Sequence, residues 1–143
     1  MKPRESVSHR LVPIHSVRLL IVVTDNVGAS RSNRNAIYGP CHIDCAGLCT
    51  WDEGFRVALF FDRKQLCHEL VAHEVFHATH RILEHQGVKF APDNHEPFAL
   101  LHGWLAAHVY REIGRMGEKI ANEYPKRCYA AGEPRLKGPH LIE

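Results

Sequence analysis

Residues 17–24 read Val-Arg-Leu-Leu-Ile-Val-Val-Thr and are closed by Asp25, Asn26 and Gly28, a compact β-branched run of the kind that forms a buried central strand. Two further runs, residues 47–51 and 55–61, flank the turn signal Asp52-Glu53-Gly54 and predict a hairpin. The apolar period then lengthens. Leu66, Leu70, His73 and His77 share one stripe, and Val71, Val75, Ala78 and Ile82 form a neighbouring apolar one. This predicts a helix with Asp62 as N-cap, Gln65 closing a capping box, Gly87 as the stop, and both histidines turned inward. Phe98, Leu101, Leu105, Val109 and Ile113 then recur at helical intervals, predicting a second helix from Asp93 or Asn94 to about Arg115 that returns antiparallel to the first.

Elsewhere the pattern is weak. Residues 1 to about 15, with Pro3 and Pro13, are expected to be poorly ordered or to hug the surface, and residues 29–35 to form a polar loop. Past Gly117 the periodicity fades, Tyr124-Pro125 and Gly132-Glu133-Pro134 break the chain, and residues 130–143 are expected to be a peripheral or flexible tail. The expected architecture is a single α+β domain over residues 1–143, with a small, mostly antiparallel sheet packed on the two helices.

Composition narrows the function classes only modestly. A formal charge of +2 gives no general footprint for nucleic acid, although Arg31, Arg34, Arg111, Arg115 and Lys119 are the residues such a binder would use. No run approaches the ~18 apolar residues of a membrane helix, and Met1-Lys2-Pro3-Arg4 leads into polar sequence, so a cytoplasmic protein is the expectation. Five cysteines do not make a disulfide framework. Cys41, Cys45 and Cys49 fall at four-residue spacing, but Gly39, Pro40 and Gly47 argue for a loop there, so reduced thiols are expected instead of a metal site.

The chemistry concentrates at His73-Glu74-Val75-Phe76-His77, an HExxH pentapeptide that this composition would produce by chance only about 0.08 times. An α-helix turns once per about 3.6 residues, so the two imidazoles stand one turn apart and can hold one metal ion. Glu74 lies about 100° further round and can reach a water in the metal's open position. Two hydrogen-bonded core histidines are the plainer alternative.

A catalytic zinc site needs a third protein ligand. His68, His80, His85, His95, Glu96, His102 and His108 are all near in sequence. His80 continues the stripe along a straight helix and cannot easily close round the same ion. The metzincin pattern would require Gly at position 80 and His at position 83, where this chain has His80 and Leu83. Glu96, opening the second helix, would complete a His₂Glu set; alternatively it is the third position of a capping box begun by Asp93, or His95 or another of these histidines takes the ligand role.

His73-Glu74-Val75-Phe76-His77 followed by Asn94-His95-Glu96-Pro97-Phe98-Ala99 resembles the HExxH…E-x-F-A arrangement of small zincin-like metallopeptidases encoded by bacteriophages, and more distantly the ImmA/IrrE peptidase family. Ala46-Gly47 through Trp51 resembles the phage group as well, and the resemblance covers about residues 45–110. It implies a minimal zincin-like domain, zinc on His73, His77 and Glu96, and Glu74 as general base in gluzincin-like hydrolysis of a peptide or protein substrate in the host cytoplasm. The strand over residues 57–61 would offer its edge to that substrate. Tyr110, His102 and His108 are the candidates for stabilising an oxyanion. A zincin-fold module that binds zinc without turnover, in phage assembly or host interaction, is the alternative reading.

Overall fold

The computed structural model describes residues 2–13, 15–34, 46–52 and 54–122. It is an α+β arrangement in which a four-stranded sheet, ordered β1-β2-β4-β3, carries helices on both faces. The elements are β1 (Glu5–Val12), β2 (Val17–Thr24), α1 (Val27–Ser32), β3 (Gly47–Trp51), β4 (Arg56–Asp62), α2 (His68–His85) and α3 (Glu96–Arg115). The sheet is mixed. β1 on β2 and β3 on β4 are antiparallel, whereas the central pair β2 on β4 is parallel, with Ile21 beside Leu59 and Val22 beside Phe60.

That central position explains the unbroken apolar runs of β2 and β4. Leu19, Ile21, Val23, Val57, Leu59 and Phe61 point to the face covered by α2 and α3, while Val22, Ala58 and Phe60 meet Val27 of α1 on the other. A strand buried on both faces cannot alternate.

Several expectations need correction. The first residues form β1, an edge strand whose inward positions are polar. Ser6 Oγ donates to Glu118 at 2.7 Å and Ser8 Oγ to Glu112 at 2.9 Å, so no apolar alternation betrays the strand. Residues 27–32 form the short helix α1, because Asn26 Oδ1 accepts from the Ala29 N–H at 2.8 Å. Asp62 caps a 3-10 turn over Arg63–Gln65 and not the motif helix, which begins at His68 with Cys67 as its N-cap. α3 begins at Glu96 with His95 at the N-cap and no side-chain cap bond, so Asp93 is not its cap.

Other features stand as read. The hairpin turn closes with Phe55 N–H on Asp52 O at 3.0 Å and Asp52 N–H on Arg56 O at 3.1 Å. α2 stops where Gly87 adopts φ 75°, a left-handed conformation that glycine takes without steric cost. α3 runs antiparallel to α2: the rings of His80 and Phe98 are 6.0 Å apart at one end, and Tyr110 Oη donates to His68 O at 3.0 Å at the other. Cys41, Cys45 and the tail at 130–143 lie outside the described residues, and Cys49 and Cys67 are free thiols. Among the described residues no helix is long and apolar enough to cross a membrane.

His108 is a core side chain that conflicts with its surroundings. It is 2% exposed, stacked on Trp104 at 5.1 Å, and neither ring nitrogen has a protein partner among the described residues. Burial depresses its basicity, opposed by Glu112 and reinforced by Arg10, Arg111 and Arg115. A depressed histidine costs stability as pH falls below its unfolded value, because only the unfolded chain protonates freely. His108→Leu should therefore stabilise the fold by about 1 kcal/mol at neutral pH and by more at pH 5. Urea unfolding of both proteins across that range measures the gap.

Candidate functional site

The rotation of α2 about its axis decides what the motif presents. Val71, Val75, Ala78 and Ile82 are fully buried against the sheet, and 100° steps from that stripe carry His73 and His77 to the solvent side. The expectation of two inward histidines is thus reversed: the inward residue is Glu74, 5% exposed. The two imidazoles nevertheless converge. Their Nε2 atoms are 3.1 Å apart, with ring centroids at 4.8 Å. The contact is a direct hydrogen bond between the two rings; two nitrogens each about 2.0–2.1 Å from one tetrahedral ion stand about 3.3 Å apart, so the same spacing also fits two ligands of a common ion.

Glu74 lies against β3. A Cβ built on Gly47 would come within 2.9 Å of Glu74 Oε1 and of Leu70 Cδ1, so the close approach depends on glycine. Desolvation raises the Glu74 carboxyl to about 7, although the Cys49 backbone N–H donates to it and works the other way. Burial, with the Glu74 charge added, pushes the neighbouring Cys49 thiol up to about 12. His77 is less basic than ordinary, chiefly through burial and then through the positive charges of His73, Arg81 and His80.

The residues proposed to join the pair are less gathered. Glu96 is the exposed first residue of α3, and its carboxylate is not engaged in the capping box that Asp93 would have begun. Among the described residues no group of three or more His, Cys, Asp and Glu side chains converges to hold an ion. The other histidines have separate surroundings. His68 packs on Tyr110 at 5.4 Å, His80 Nδ1 is 4.0 Å from Glu84, and His85 stacks on Phe55 at 3.6 Å. Of the three oxyanion candidates, Tyr110 spends its hydroxyl on the His68 carbonyl and His108 is buried, whereas His102 lies beside Thr79 and Phe76 of the motif helix.

The strand over residues 57–61 cannot receive a guest strand, because β4 is paired on both sides. Of the two edge strands among the described residues, β3 is the one beside the motif helix. The bonds from Asp62 N–H to Ala46 O and from Asp52 N–H to Arg56 O fix which residues pair with β4, so Gly47, Cys49 and Trp51 turn their backbone groups outward. Sequence reasoning also passed over Arg81, whose guanidinium carbon lies 3.9 Å above the Trp51 ring. A glycine inside a strand was the available signal for the close contact. The five cations of the nucleic-acid reading are divided between the two faces of the sheet, and Arg34 and Arg115 are ion-paired with Glu5 and Glu112.

A carboxyl raised by burial stabilises the fold fully below its unfolded value near 4.5 and loses that contribution as pH rises through about 7. In metal-free protein, Glu74→Gln should therefore be nearly neutral at pH 4.5 and stabilising by about 2–3 kcal/mol at pH 8, read by thermal unfolding in a chelator. Gly47→Ala should cost about 1–3 kcal/mol, because the added methyl must displace Glu74 or Leu70, and chemical denaturation would show it. Comparison with protein-family models, curated proteins and solved structures finds no match to this chain.

Proposed function

We propose that this protein is a gluzincin-like zinc metallopeptidase with a minimal zincin-like fold, of the bacteriophage-encoded type, acting on a narrow protein substrate in the host cytoplasm. The observation that carries the reading is the convergence of His73 and His77 Nε2 at 3.1 Å on the open side of a helix whose intervening Glu74 is buried beside an edge strand. His73 and His77 would hold the ion, with Glu96 of α3 as the third ligand. Zinc so held would supply Lewis acidity and lower the pKa of a bound water.

The chain's own groups do the remainder. Glu74 takes a proton from the attacking water and delivers it to the leaving amine, and its dry position holds its affinity for that proton near neutrality. The Cys49 N–H fixes the carboxylate's orientation. The outward backbone groups of Gly47 and Trp51, with the Cys49 carbonyl, form the rail on which an extended peptide pairs as an added strand, the Cys49 N–H being held by Glu74; this replaces the rail expected at residues 57–61. His102 is the best-placed candidate to steady charge on the scissile carbonyl.

Elemental mass spectrometry on purified protein should find about one zinc per chain, absent from His73→Ala and held at least about tenfold more weakly by Glu96→Gln. Glu74→Gln should keep the zinc, abolish peptide hydrolysis and still gain stability above neutrality, a combination that simple misfolding cannot give. A wild-type chain that takes up no zinc on reconstitution ends the peptidase reading.

A further inference from the structure

We infer that Arg81, held over the Trp51 ring at the end of the open strand edge, is a recognition residue for a carboxylate on the bound peptide, in the first instance an aspartate or glutamate side chain. The inference rests on the peptidase reading of the same site and names the class of substrate that reading leaves open.

Three observations carry it. The first is position: β3 runs from Gly47, against Glu74, to Trp51, against Arg81, so the rail begins at the candidate base and ends at the guanidinium. A guest strand pairs residue by residue, which puts Arg81 two positions along the guest from the residue opposite Cys49. Arg81 is also one turn beyond His77 on α2, and its charge reaches both His77 and Cys49.

The second is preorganisation. With its carbon 3.9 Å from the Trp51 centroid, the guanidinium is held over the indole, and this cation–π contact restrains it while using none of its N–H donors. Arg81 is 40% exposed, so those donors are reachable from solvent.

The third is a replaceable partner. The ion pair from Arg81 Nη1 to Glu84 at 2.9 Å is an i,i+3 contact whose carboxylate is 56% exposed, and pairs of that kind contribute about 0–1 kcal/mol. A substrate carboxylate meeting the planar fork with two hydrogen bonds outcompetes it.

An antiparallel guest places residues N-terminal to the scissile bond at Arg81, and a parallel guest places C-terminal ones there. A free peptide C-terminus offers the same carboxylate chemistry, so the probe separates the sources. Zinc-loaded Glu74→Gln protein is immobilised and offered a randomised decapeptide library in two forms, with both ends blocked and with free C-termini. Bound peptides are sequenced by mass spectrometry, and wild-type protein cleaves the same library in parallel.

The expected result is about tenfold enrichment of Asp and Glu at one fixed position in the blocked library. Arg81→Gln should abolish the enrichment, and Arg81→Glu should switch it to Lys and Arg, a gain that an unfolded variant cannot produce. Acid-selective binding without cleavage leaves Arg81 standing and removes the hydrolytic reading. Enrichment confined to free C-termini, enrichment unchanged in Arg81→Gln, cleavage without acidic preference, or no peptide retained at all would each overturn the inference.

Discussion

The rest of the site depends on how the apolar stripe of α2 seats on the sheet. Val71, Val75, Ala78 and Ile82 are fully buried, and a helix whose stripe is pinned in this way cannot rotate. Its other positions are then assigned by 100° steps: the histidines to solvent, Glu74 to the margin between helix and strand, and Arg81 to the same margin two turns on. One hydrophobic contact thus places three sets of polar groups. Moving any of them would require repacking α2 against β3 and β4.

The margin is narrow because β3 lies close. Gly47 lets its backbone reach the Glu74 carboxylate, and the Cys49 N–H is the polar group that meets it there. A carboxyl in this setting is held toward its neutral form, and ionising it above neutral pH costs the fold stability. The two exposed imidazoles stabilise nothing in the core, and their approach at 3.1 Å is that of a hydrogen bond between the two Nε2 atoms.

The sheet order gives this geometry a direction. Because β4 is enclosed by β2 and β3, the open backbone beside the motif helix belongs to β3 alone among the described residues. Its two ends carry different chemistry, a buried acid at Gly47 and a stacked cation at Trp51. A peptide laid along that edge would therefore be read for charge at one end while its backbone meets the candidate base at the other.

The sequence by itself determined the elements whose signals are local. The β-branched run of β2, the Asp/Gly hairpin, the stop at Gly87 and the apolar stripe of α3 are set by neighbouring residues, as is the one-turn spacing that brings His73 and His77 together. Where the signal is not local, only the tertiary structure decided. β1 is written in polar residues because its partners on the inward face are the glutamates Glu112 and Glu118, over a hundred residues away. Helical periodicity assigned both histidines to the core because it counts faces without knowing which face meets the sheet, and the packing gave that place to Glu74. The strand edge was misassigned for the same reason: pairing order depends on the crossover through α1, and no short stretch of sequence records which strand is left with an unpaired side.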